Sequence, residues 1–144
     1  MKRPEQQMHK DVASQIRKRG TPGMVWWHTA NGARYGGENP ARHGAIMKKL
    51  GVRAGVSDFV FLHDGKFFAL ELKAPKGKPT EAQLAFLDDV NKAGGFSVCA
   101  DGLDRALACL EDWGLLKGKS TFEPIGKAAE RVVARIGPRK EEAA

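Results

Sequence analysis

The sequence predicts an α/β fold: a mixed sheet built on a central β-hairpin, extended by a crossover helix and a further strand, with helices flanking it. Three observations carry that expectation. Two runs rich in β-branched and aromatic residues, Ser57 to His63 and Lys66 to Lys73, flank the pair Asp64-Gly65, the strongest short-range hairpin signal. A helical pattern from Thr80 to about Ala93 follows, and Phe96 to Ala100 then reads as a core strand. Strand, helix and returning strand make a right-handed crossover. The 144 residues show no internal repeat, and a chain of this length buries a core without disulfides.

The remaining elements follow in order. Pro4 to Arg19 reads as a helix, because Met8, Val12 and Ile16 recur every four residues and Gly20 terminates it. Met24 to Thr29, with Val25, Trp26 and Trp27, reads as a strand, and Ala30 to Glu38 as a glycine-rich loop. Asn39-Pro40 opens a second helix, with Asn as cap and Pro at the first position, running to about Leu50 and stopping at Gly51. Beyond the hairpin, Ala74 to Pro79 is a basic loop, Thr80 opens the crossover helix and Gly94-Gly95 ends it. Asp101 is the expected cap of a final helix through Trp113, with Leu103, Ala106, Leu107 and Leu110 on one face. These elements assign residues 1–116 to one domain and 117–144 to a basic C-terminal tail, where Ile125, Ala129, Val132 and Ile136 suggest a short amphipathic helix.

The hairpin also organises chemistry. A two-residue turn at Asp64-Gly65 sets His63 opposite Lys66, and the same register sets Asp58 opposite Glu71. Their β-carbons would then lie roughly 4.5–5.5 Å apart. Like charges so placed are destabilising unless a cation sits between them. Lys73, two residues past Glu71, shares that face. The hairpin could simply carry three solvated charges, but both of its faces are largely apolar. Val60, Leu62, Phe67 and Ala69 share the parity of Asp58 and Glu71, and Phe59, Phe61, Phe68, Leu70 and Leu72 take the other. A strand pair of that kind is covered on both sides, and carboxylates recessed at its end are costly without a partner. Two carboxylates with a neighbouring amine are what a divalent metal and an activated water require.

Charge narrows the class further. The formal net charge is +7, from 24 Lys and Arg against 17 Asp and Glu, with a pI near 9.6. Residues 1–80 carry 15 basic and 6 acidic side chains, a net +9, whereas residues 81–116 carry 2 and 7, a net −5. A basic surface suits a polyanion such as a nucleic-acid backbone; joined to a metal site it points to phosphodiester chemistry. Lys48, Lys49, Arg53, Lys76, Lys78, Arg34 and Arg42 lie on loops or helix ends around the hairpin and form the expected DNA groove. No apolar run approaches the roughly 18 residues of a membrane span. Cys99 and Cys109 read as core residues, and no Cys-x-x-Cys spacing indicates zinc, so a reduced, soluble, cytoplasmic protein is expected. His9, His28, His43 and His63 have no metal-ligand spacing and receive no catalytic role. Trp26 and Trp27 are assigned to the core or to a dimer contact.

Asp58, followed by Glu71-Leu72-Lys73 on the next strand and then a crossover helix, resembles the PD-(D/E)XK nuclease superfamily. The closer similarity is to VRR-NUC, the virus-type replication-repair nuclease domain. It is carried by Lys49-Leu50-Gly51-Val52-Arg53-Ala54-Gly55-Val56-Ser57-Asp58, by Ala69-Leu70-Glu71-Leu72-Lys73 and by Gln83, and it spans roughly Pro4 to Trp113. Ser57 departs from it, since the family usually has proline before the aspartate, which bears on backbone rigidity rather than on chemistry.

The resemblance implies a restriction-endonuclease-like sheet and a metal-dependent endodeoxyribonuclease selective for branched or flapped DNA, often a homodimer. Asp58 and Glu71 are then metal ligands for Mg²⁺ or Mn²⁺, with the Leu72 carbonyl as a further ligand. Lys73 orients the attacking water or stabilises charge on the phosphate, unless it serves only as the ion-pair partner of Glu71. Glu5 resembles the first-helix glutamate that helps complete the metal shell, although acidic residues favour any first helical turn. Gln83 is placed near the active site, although Thr80-x-x-Gln83 is also a capping box. Asn31 falls in a loop near the site. A stand-alone domain of this size suits a phage or mobile-element repair or packaging protein in a bacterial host. The competing readings are a non-catalytic DNA-binding module with the same fold, and a nuclease for RNA or a defined restriction site.

Overall fold

The computed structural model describes residues 3–29 and 40–118. The expected glycine-rich loop, Asn31, Arg34 and the Asn39 cap lie outside the described residues, as does the tail from 119 onward.

Among the described residues eight elements follow one another: α1 (Arg3–Arg19), β1 (Val25–His28), α2 (Pro40–Lys49), β2 (Phe59–His63), β3 (Lys66–Lys73), α3 (Glu81–Lys92), β4 (Phe96–Asp101) and α4 (Leu103–Asp112). The four strands form one sheet in the order β1-β2-β3-β4. The first two pairings are antiparallel, and β3 with β4 is parallel across the α3 crossover.

The hairpin register follows from its turn. Asp64 and Gly65 take φ of 51° and 72°, the positive pair that two-residue hairpin loops require, and His63 pairs with Lys66. The ladder runs back to Phe59 opposite Leu70 and stops there. Ser57 and Asp58, expected within the strand, precede it. They are instead tied to the end of β1, where the Thr29 N–H donates to the Asp58 carbonyl at 2.8 Å and the Thr29 hydroxyl donates to the Ser57 carbonyl. Asp58 therefore sits at the end of the sheet, reachable from either face.

Helices cover the two faces unequally. Val12 and Ile16 of α1, and Ala106, Leu107 and Leu110 of α4, close over Phe59, Phe61, Phe68, Leu70, Leu72 and Val98 to form the core. On the opposite face α3 packs on β3 and β4, where the Ser97 hydroxyl donates to the Leu87 carbonyl at 2.7 Å. Val60, Ala69 and Glu71 are buried there, but Val25, Trp27 and Leu62, farther from α3, are about half exposed. Coverage on both sides, the sequence expectation, thus holds for the centre of the hairpin and not for its outer edge. Both cysteines are buried, and neither forms a disulfide among the described residues.

α4 begins differently from expectation. Asp101 is the last residue of β4, and Gly102, at φ 99°, takes the cap position with no side-chain bond. Asp101 instead pairs with Arg105 one turn into the helix. Such a φ strains any side chain but costs glycine little. No described helix is long and apolar enough to cross a membrane.

Candidate active site

Where β2 and β3 run out, the sheet brings Asp58, Glu71 and Lys73 together. The Asp58 Oδ2 accepts the Leu72 N–H at 2.8 Å, which fixes the carboxylate against the neighbouring strand. In an antiparallel ladder a residue's N–H and C=O leave the same edge, so the Leu72 carbonyl faces Asp58 as well. Glu71 is only 2% exposed. Its Oε1 accepts from Gln83 Nε2 at 2.8 Å and lies 3.7 Å from Lys73 Nζ, whereas Oε2 is buried with no hydrogen-bond partner among the described residues.

Burial, reinforced by the charge of Asp58 and opposed by that of Lys73, pushes the Glu71 carboxyl up to about 8. An unpartnered oxygen on a buried carboxylate, beside a second carboxylate, is a group for which a bound cation compensates. The residues present therefore fit the expected divalent ion, with Asp58, Glu71 and the Leu72 carbonyl as the oxygen set.

Gln83 makes two sets of contacts, one to the helix cap and one to Glu71. Its backbone N–H donates to the Thr80 hydroxyl at 3.2 Å, and its Oε1 accepts the Thr80 N–H at 2.8 Å, completing the capping box of α3. The other end of the same amide, Nε2, holds Glu71. The loop before Asp58 is fitted to this helix end. Gly55 takes φ 79°, and a β-carbon there would lie 2.4 Å from the Ala82 carbonyl carbon and oxygen. A glycine is required at Gly55 on both counts.

Two histidines that sequence reasoning left without a role converge on Asp58. His9, 9% exposed, approaches the Asp58 Oδ2 with its Nε2 at 3.9 Å and meets His28 Nε2 with its Nδ1 at 2.8 Å. One ligand atom from each of His9, His28 and Asp58 lies within 4.8 Å of the other two. The faint sequence signals were periodic. His9 lies on the α1 face that carries Val12 and Ile16, and His28 alternates with the half-buried Trp26. Both rings pack near Phe59. Desolvation lowers the His9 pKa, and the charges of Asp58 and Glu5 oppose that shift. Glu5, one turn before His9, thus lies close enough to act on it.

Among solved structures this chain is similar to a VRR_NUC domain protein, at 18% identity and a TM-score of 0.61, covering 84% of this chain and 96% of that one. The fold is VRR-NUC-like. No protein-family model matches the sequence, and no curated protein matches it. In this VRR-NUC-like frame a cleft of about 950 Å³ opens beside the carboxylates, lined by Met47 and Lys48 of α2, the Gly51–Val56 loop, Asp58, Thr80 and Gln83.

The basic residues expected to track phosphates are not equivalent. Lys48 lines the cleft, whereas Lys49, Arg42, Lys76 and Lys78 are exposed but do not line it. Arg53 lines it too, but pairs with Asp89 at 2.6 Å and lies over the Phe86 ring at 5.2 Å. Its charge is directed to α3. Lys78 instead borders a separate cavity with Leu84, Leu87 and Cys99.

Proposed function

We propose that this chain is a metal-dependent nuclease that hydrolyses DNA phosphodiester bonds, with a preference for branched or flapped DNA. The observation that carries the reading is the buried Glu71 carboxylate with one unpartnered oxygen, set among Asp58, Lys73 and Gln83. Asp58, Glu71 and the Leu72 carbonyl would hold Mg²⁺ or Mn²⁺; when filled, such a site supplies a Lewis acid for a phosphoryl oxygen and a bound water of lowered pKa.

The chain's own groups do the rest. Gln83 holds the Glu71 carboxylate in one orientation from a capped, rigid helix end. Lys73 carries positive charge to the edge of the site, where a phosphate gains negative charge as the water oxygen bonds to phosphorus and a P–O ester bond breaks. The proton released from water ends on the leaving oxygen. Lys48 in the adjacent cleft, with Lys49 and Arg42 nearby, would track the backbone of the strand being cut. A homodimer and a role in phage DNA repair in a host cytosol extend this reading, and the resemblance alone supports them.

The test is incubation of purified protein with labelled duplex, flap, four-way-junction and RNA substrates, each with Mg²⁺, Mn²⁺ or EDTA. Metal-dependent cleavage strongest on branched DNA is expected, with Asp58→Ala and Glu71→Ala both inactive yet still binding DNA. Binding without cleavage under every metal condition would replace the nuclease with a DNA-binding module of the same fold.

A further inference from the structure

We propose that His9, His28 and Asp58 form a second cation site, which takes an imidazole-seeking first-row divalent ion such as Mn²⁺, Co²⁺ or Zn²⁺ in preference to Mg²⁺. It lies on the α1 side of Asp58, whereas Glu71, Gln83 and the cleft lie on the α3 side. The inference deepens the nuclease reading by adding an ion at the same aspartate; it rests on that reading for the ion's use, and not for its binding.

Two nitrogens in adjacent positions on an ion about 2.1 Å away lie about 3 Å apart, and His9 Nδ1 and His28 Nε2 stand at 2.8 Å. Without an ion, two imidazole nitrogens at that distance share a proton; the lone pairs that share it are those that would bind a metal. Asp58 completes the set: one ligand atom from each of the three residues lies within 4.8 Å of the other two. Two opposed ligands on one ion span about 4.2 Å, so a small adjustment of the side chains would gather the set. The backbone is already fixed on every side. His9 is held within α1, His28 within β1, and Asp58 by the Leu72 N–H and by Thr29.

Ligand type then sets preference. Imidazole suits Co²⁺ and Zn²⁺ better than Mn²⁺, which accepts it alongside oxygen ligands, whereas Mg²⁺ seeks oxygen. A carboxylate has two oxygens and commonly bridges ions in two-metal phosphodiester sites. Asp58, at the end of the sheet and open to both faces, is placed for that.

Pulsed EPR of Mn²⁺ bound to the full chain tests the site, because a directly ligated imidazole imprints nitrogen hyperfine coupling on the ion. Wild type is expected to show that coupling, and excess Mg²⁺ to leave it in place. His9→Gln and His28→Gln should weaken or remove it and raise the Mn²⁺ dissociation constant at least about tenfold, whereas Glu71→Gln should keep it. Circular dichroism checks that each variant is folded. Should His9→Gln fail to fold, His28→Gln, on an exposed strand residue, decides alone. Absence of nitrogen coupling in wild type, or coupling unchanged in the folded histidine variants, overturns the proposal. Coupling without DNA cleavage would refute the nuclease reading and leave this site standing.

Discussion

At Glu71 the protein keeps a carboxyl in a place where its charge is penalised. In the metal-free chain that group titrates near 8, against 4.5 in the unfolded state, chiefly through burial. The folded form therefore holds a proton that the unfolded form has lost between those two values. By linkage, stability falls as pH rises through that window. In EDTA the thermal midpoint is expected to drop between the unfolded and folded values, and Glu71→Gln, which has no proton to lose, should flatten the profile. A slope equal in both proteins would remove the burial argument. Ser57 is a second residue under tension. It is fully buried, and its hydroxyl has no hydrogen-bond partner among the described residues. Removing an unsatisfied buried hydroxyl, as serine to alanine does, removes a desolvation penalty of about 1–3 kcal/mol. Ser57→Ala should accordingly raise the denaturation midpoint; a fall would mean that the hydroxyl has a partner in solution.

At the scale of elements, the site depends on how the N-terminus of α3 meets the loop before Asp58. Gln83 closes the capping box and clamps Glu71 with one side chain, so Gln83→Ala should cost about 1 kcal/mol of cap stability and also slow cleavage. Thr80→Ala loses the cap but leaves the Gln83 amide. A larger activity loss for Gln83→Ala at matched stability loss would separate the clamp from the cap. Gly55 provides the complementary test, with Gly23 as its control. Both have positive φ, but a β-carbon at Gly23 meets nothing within 4 Å, whereas at Gly55 it strikes the α3 backbone. Gly23→Ala should cost about 1 kcal/mol for backbone strain alone. Gly55→Ala should cost more, and should lower turnover by shifting the loop before Asp58 away from the N-terminus of α3. Equal costs on denaturant titration would show that the close approach does not matter.

For the whole molecule, charge is segregated along the chain: the net +9 of residues 1–80 meets a net −5 over residues 81–116. The acidic segment uses its charge internally, in Arg53–Asp89, Lys92–Asp88, Arg105–Asp101 and Arg19–Glu111 pairs. On the proposed function, phosphate contacts would fall to the α2 side of the cleft, where Lys48 lies. DNA affinity should decrease steeply and linearly with log salt, and Lys48→Ala should weaken binding similarly for all sequences while reducing the salt slope by about 1. A flat salt dependence would reject a phosphate-tracking groove.

The sequence by itself determined the hairpin, its register and the crossover, because turn chemistry at Asp64-Gly65 and alternation along a strand are local rules that propagate without error from one pair to the next. It thereby located Asp58, Glu71 and Lys73 at one end of a strand pair, and it named Gln83 without deciding between cap and site. Tertiary structure decided what depends on distant segments meeting. Asp58 lies past the end of the β2–β3 ladder while its carbonyl stays bonded to Thr29; Arg53 turns to Asp89 across the gap to α3; and the uncovered edge at Val25, Trp27 and Leu62 reflects how far α3 reaches. His9 and His28 show the limit most plainly. Their positions in sequence carry no ligand spacing, and only the packing of α1 against the end of the sheet places both imidazoles beside the same carboxylate.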